Sequence, residues 1–126
     1  MRDLAERAIA ACRDYDRWAS EVSRLTEAIR ETECPHEAPA EQETHFRGYP
    51  SCFKEAAQKE VPEILSRPEH GLRRLTLDEI EREVKDCPAC SRLVQLIRDR
   101  RHARRMFGAA KRRVRALGKR AAAEEA

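Results

Sequence analysis

From Leu4 onward, apolar or small residues fall at Leu4, Ala8, Ala11, Tyr15, Trp18, Val22, Leu25 and Ile29, in alternating steps of four and three. On a helix such a set forms one stripe, a 3.5-residue seam that packs against another helix. Charged residues of both signs fill the positions between, so residues 3–32 read as one long helix with a wet face and a packed face. Pro35 prevents its continuation. A second seam, Leu93, Leu96, Arg100, Ala103, Phe107, Ala110, Val114 and Leu117, predicts another long helix over 88–118. Gly118 would cap it, leaving 119–126 as a frayed tail. Isolated helices are marginal in water, so the two stripes must find partners. An antiparallel hairpin is the economical arrangement, and a homodimeric coiled coil is its competitor.

The rest of the chain offers little core. Leu, Ile, Val and Phe together number 22 of 126 residues, below the share at which a chain with high net charge is expected to stay unfolded. The formal net charge is only +3, and two devices can compensate for the thin core: helices paired along their seams, and a metal staple. One small domain is expected. No run of 18 apolar residues and no signal-peptide pattern follow Met1, so the expectation is a cytoplasmic protein with no membrane partner.

Between the seams, residues 33–75 form a loop-rich insertion with short helical candidates at 51–60 and 62–66. Thr76-Leu77-Asp78-Glu79 is a capping box that opens a short helix over 76–86, with Leu77, Ile80 and Val84 as its apolar stripe. No alternating strand pattern is visible. The expected fold is all-α: an antiparallel pair of long helices with a zinc-stabilised, loop-rich insertion carrying short helices.

Cys87-Pro88-Ala89-Cys90 is a CxxC knuckle, whose turn lets two thiolates reach one tetrahedral ion at about 2.3 Å. In an antiparallel hairpin the end of the first helix lies beside the start of the last, which brings Cys34 towards Cys87 and Cys90 without any appeal to metal. The fourth ligand lies among Cys52, His36 and His45. Cys52, at the start of a short helix, ranks first, so the expected set is Cys34, Cys52, Cys87 and Cys90 with His36 as the alternative. Cys12 is expected to be an inert buried thiol on the flank of the first helix. A redox CxxC would need a strand before it, and a charged helix precedes this one. Four protein ligands close the coordination sphere, so the implied Zn2+ is structural and contributes on the order of 10 kcal/mol to folding.

Charge is segregated along the chain. From Cys87 onward twelve Lys+Arg face three Asp+Glu, a net of +9, while residues 1–86 carry fourteen against twenty, a net of −6. Arg98, Arg101, Arg104, Arg105, Lys111, Arg112, Arg113, Arg115 and Lys119 are the candidate binding residues, and much of this run faces away from the seam. Such a face suits phosphates, and the planar fork of arginine equally suits carboxylates, so the partner is nucleic acid or an acidic host protein surface. A solvated face balanced by acids such as Glu79, Glu81 and Glu83 is the bland alternative. Gly108 interrupts the run and would permit a bend or a close helix approach. There is no HExxH, no GxSxG and no phosphate-cradling loop among four scattered glycines, and His36, His45, His70 and His102 read as loop or surface residues. The expectation is a protein that is not an enzyme.

The knuckle Cys87-Pro88-Ala89-Cys90, the run from Arg100 to Arg112, Gly118-Lys119-Arg120 and Ser51-Cys52-Phe53-Lys54-Glu55-Ala56 resemble small phage and prophage proteins of uncharacterised function. The resemblance covers roughly residues 34–120. It implies a phage-encoded protein at work in a bacterial host and favours Cys52 as a ligand, but it transfers no activity. Phage proteins of this size often act by binding host machinery. Two functions follow: a non-catalytic zinc protein that binds nucleic acid through its basic helix, or an inhibitor or adaptor acting on host nucleic-acid machinery such as a defence complex.

Overall fold

A computed structural model describes residues 3–36, 48–64 and 67–125. In chain order the elements are α1 (Leu4–Glu31), α2 (Ser51–Gln58), β1 (Glu60–Pro62), β2 (Leu72–Arg74), α3 (Leu77–Glu83) and α4 (Pro88–Glu125). The fold is essentially all-α, with a long helix pair as the seams require. The chain divides into two compact units, Met1–Glu27 with Ile97–Ala126, and Ala28–Leu96.

In the first unit, α1 and α4 run antiparallel. Asp14 meets Arg113, Tyr15 meets Phe107 and Trp18 meets His102, so numbers fall on one helix as they rise on the other. The seam is buried at Ala11, Leu25, Ala103, Ala110 and Leu117. Alanine at three of these five positions leaves little apolar area to bury, and larger contacts flank them: the Tyr15 and Phe107 rings sit 5.0 Å apart, tilted at 52°. Two expectations fail here. The helix does not stop at Gly118: α4 continues to Glu125, because Ala121, Ala122 and Ala123 are the best helix formers and one glycine costs only about 1 kcal/mol. Cys12 is not buried but exposed, and lines a shallow apolar groove with Leu4, Ala8, Val114 and Ala121. With only two helices in this unit, residues beside the seam stay open to solvent.

The second unit gathers the shorter elements. Its core is Ile29, Phe53, Ala56, Ala57, Ile80, Val84, Leu93, Val94 and Leu96. The capping box is present: Thr76 Oγ1 accepts from the Glu79 N–H at 3.3 Å, and the Glu79 carboxylate accepts from the Thr76 N–H at 2.9 Å. α3 ends at Glu83, three residues before the expected limit at Asp86, and the chain turns into Cys87. Pro88 opens α4, the position where a missing N–H and a fixed φ are most compatible with a helix.

The helical reading of 62–66 is corrected. Pro62 closes β1, which pairs antiparallel with β2 in the register Glu60 to Arg74, Val61 to Arg73 and Pro62 to Leu72. Three-residue strands are too short to show period-two alternation, so no pattern announced them. Arg73 leaves the hairpin to grip Glu79 with two hydrogen bonds of 2.7 and 3.2 Å, tying the sheet to the first turn of α3.

Candidate metal centre

Three segments of the second unit converge on one point. Thr32 ends α1 by turning its hydroxyl to the Ala28 carbonyl at 2.8 Å and its N–H to Ile29 at 3.2 Å, after which Cys34-Pro35-His36 runs on in irregular backbone. Ala28, Glu31, Thr32 and Glu33 share a crevice with Ala89, Arg92 and Leu96, so the end of α1 lies beside the start of α4. Gly48, at φ +93°, turns the chain towards Pro50, and Ser51 and Cys52 form the first turn of α2. Cys87 stands immediately before α4, its carbonyl accepting from the Ser91 N–H at 2.9 Å.

The ligand atoms of Cys34, His36, Cys52 and Cys87 all lie within 4.8 Å of one another. The edge of a tetrahedron with 2.3 Å metal–sulfur bonds is about 3.8 Å, so a shift of about an ångström closes the four donors on one ion. Cys52 Sγ is 3.1 Å from His36 Nδ1, which makes Nδ1 the ring atom facing the group. Ser51 Oγ lies 3.2 Å from Cys34 Sγ and donates to the His36 carbonyl at 2.7 Å, fixing the Cys34–His36 segment from outside the cluster. Cys52 and Cys87 both sit at helix N-termini, where the macrodipole favours negative sulfur.

Electrostatics mark the same point. Burial pushes Cys34 up, but the Cys52 N–H, the Ser51 hydroxyl, and the backbone and ring of His36 together outweigh it and bring the thiol down to about 5. Cys52 is pushed up to about 11, first by burial, then by the hydrogen bond and charge of Cys34, then by Cys87. One sulfur is held as a thiolate and its neighbour is kept from becoming a second. A cation at the centre would stabilise both sulfurs as thiolates, and a set of three sulfurs and one imidazole suits a thiophilic divalent ion. The four side chains can hold a metal ion.

Of the expected ligands, Cys34, Cys52 and Cys87 come together, and the alternative, His36, completes the group. Cys90 stands outside the four. It is fully buried on the first turn of α4, and its thiol is pushed up by burial and by the Cys87 sulfur, against a smaller lowering contribution from the Phe53 N–H. On the first turn of α4 its sulfur lies against that of Cys87 and feels the charge of Cys34, so Cys90 borders the group although its sulfur is not one of the four. His45 lies outside the described residues. Sequence reasoning ranked His36 behind Cys52 because one intervening residue is a short chelate spacing; the irregular backbone after Thr32 makes room for it.

The basic residues occupy α4 of the first unit. Arg101, Arg104, Arg105, Lys111, Arg112, Arg113, Arg115 and Lys119 are exposed, and Arg98 is half-buried. At 100° per residue, Arg101, Arg105, Arg112, Arg115 and Lys119 fall within about 40° of one line, roughly opposite Ala103, Ala110 and Leu117. Arg113 is turned towards α1 and pairs with Asp14 at 2.8 Å, and Lys111 caps the Phe107 ring at 4.4 Å. Glu79 and Glu83, two acids expected to balance the run, pair with Arg73 and Lys59 instead. Gly108 lies on the basic line, away from the seam, so it serves no close approach of helices; a Cβ there would meet only Arg112, at 3.5 Å.

Among the described residues, no helix is long and apolar enough to cross a membrane. Comparisons with family models, curated proteins and solved structures find no match.

Proposed function

We propose that this chain is a non-catalytic protein that holds a structural zinc ion on Cys34, His36, Cys52 and Cys87 and binds nucleic acid through the basic face of α4. The observation that carries the reading is the line of exposed cations opposite the seam. From Arg100 to Ala123 the sequence contains no acid, so nothing on that stretch of helix neutralises it internally. A chain this short of large apolar residues has little reason to concentrate arginine on one helix face unless the face meets an anion. Zinc fits the donor set because it accepts thiolate and imidazole together without geometric preference, and four protein ligands leave no position for catalysis. The phage resemblance sets this activity in a bacterial host.

The test is binding of labelled DNA by the metal-loaded chain at 50 and 200 mM salt. With about six phosphates neutralised, affinity is expected to fall roughly a thousandfold across that interval. Charge reversal at Arg104, Arg105 and Arg112 is expected to abolish binding; normal binding by that variant refutes the proposal. An acidic host protein is the competing partner. In that case DNA is not retained, and a single stoichiometric polypeptide is captured from nuclease-treated lysate.

A further inference from the structure

We propose that the nucleic acid taken by α4 is duplex DNA in the B form, with the helix lying across one groove and touching both backbones. The inference rests on the nucleic-acid reading above and names the substrate class of that same face. Three observations carry it. The cations fall into two groups on one rigid helix, Arg101, Arg104 and Arg105 on one side of Gly108, and Arg112, Arg115 and Lys119 on the other. All six are exposed. The centres of the two groups are twelve residues apart, about 18 Å at 1.5 Å per residue. The major groove of B-DNA is about 12 Å wide between its walls, which places the phosphorus atoms of the two walls roughly 18 Å apart.

The second observation is the gap itself. Gly108 lies between the two groups and has no side chain, and the Arg112 guanidinium reaches back to within 3.5 Å of where a Cβ would be. The helix is therefore narrow between the two groups, with no bulky side chain of its own on that line to keep it from spanning the two walls of a groove. The deep, narrow major groove of A-form RNA does not admit a helix, and its wide minor groove is too shallow to seat one, so the RNA duplex is the discriminating control.

The third is the placement of the aromatic rings. Single strands are held by rings on which bases stack. Phe107 is the only Phe, Tyr or Trp of α4, and it packs against Tyr15 under Lys111. Trp18 packs against His102 with Arg17 over its ring. Neither ring shares the basic line, so a single strand would find charge there but no stacking platform.

The experiment compares a 20-base-pair DNA duplex, each of its single strands and an RNA duplex of the same sequence by fluorescence anisotropy. The probe protein is the metal-loaded full chain at 100 mM salt, alongside Arg101→Glu/Arg105→Glu and Arg112→Glu/Arg115→Glu. These positions are exposed, and circular dichroism confirms that the helices persist. The expected result is at least fivefold tighter binding of the DNA duplex than of any other probe, with that preference lost in both double variants, since each keeps only one patch. A preference below fivefold in the unmodified chain, or one retained by either variant, overturns the bridging inference while nucleic-acid binding stands. Failure of the unmodified chain to bind any probe overturns both.

Discussion

Removing the metal is expected to unfold the second unit, and the four donors make that outcome calculable. A structural zinc bound by sulfur and imidazole contributes about 10 kcal/mol or more of apparent free energy at neutral pH. The unit Ala28–Leu96 is about 70 residues long. At about 0.1 kcal/mol per residue its entire net stability is about 7 kcal/mol, less than the ion alone supplies. A chelator should therefore erase amide protection over α2 and α3. Cys34→Ser, His36→Ala and Cys87→Ser should each lower metal content well below one equivalent. Cys90→Ala is the informative contrast: it removes a buried sulfur about the size of a methylene, about 1 kcal/mol, but leaves one equivalent of metal. Cobalt substitution provides a second reading, because thiolate-to-metal charge-transfer absorption scales with the number of sulfurs and should report three. Persistent protection of α2 and α3 in the chelated protein would refute the argument. A chain that loses its metal on Cys90→Ala but keeps it on His36→Ala would replace the mixed donor set with four sulfurs.

Leu25 is 1% exposed on the seam, so Leu25→Ala should cost about 2–5 kcal/mol in urea denaturation; Tyr15, at 37% exposed, should lose clearly less on truncation. Gly118 lies within α4 with nothing within 4 Å of a Cβ and no left-handed backbone, so Gly118→Ala should stabilise the first unit by up to about 1 kcal/mol in the same assay. Glu79 is held down to about 2, chiefly by the Arg73 guanidinium and then by the Thr76 N–H. A carboxylate depressed in the folded state adds stability that is complete above its ordinary value of 4.5 and disappears as pH falls towards 2. Hydrogen exchange of α3 should accelerate across that window, and Glu79→Gln should flatten the dependence. Thr76→Ala, which breaks the other half of the capping box, should destabilise α3 by about 1 kcal/mol at neutral pH, read by the same exchange.

The two long helices were legible because each carries its seam through many turns, and a 3.5-residue repeat sustained that far admits no strand reading. That the stripes need partners followed from marginal helix stability; the antiparallel hairpin was the economical arrangement and the homodimeric coiled coil its competitor. Thr76 to Glu79 was equally legible, since a capping box is a local device written in four consecutive residues. The hairpin was not. Each of its strands has three residues, Pro62 resembles a helix start as readily as a strand end, and what holds the structure is the reach from Arg73 to Glu79, a contact that no periodicity encodes. The end of α4 was misplaced for a related reason: Gly118 looks like a terminator, but the alanines beyond it continue the helix when no competing structure captures the chain.

At the candidate metal centre the same division holds. Cys34 and Cys87 were brought together by topology, a consequence of long-range pairing that the seams made readable. The choice between His36 and Cys90 depends on the local course of the backbone. Cys87 precedes α4 and Cys90 lies on its first turn; both are buried, and the Cys90 thiol lies against the Cys87 sulfur. Pro88 starts the helix between the two, and three residues of helix keep both sulfurs on the same face of its first turn. His36, in irregular backbone like Cys34, is held in place by the Ser51 hydroxyl on its carbonyl and offers the fourth donor of the group. Moving the start of α4 should move the ligand. Pro88→Gly, which weakens that start, is expected to raise the sulfur count seen by cobalt from three towards four, and an unchanged count would show that helix initiation does not decide the donor set.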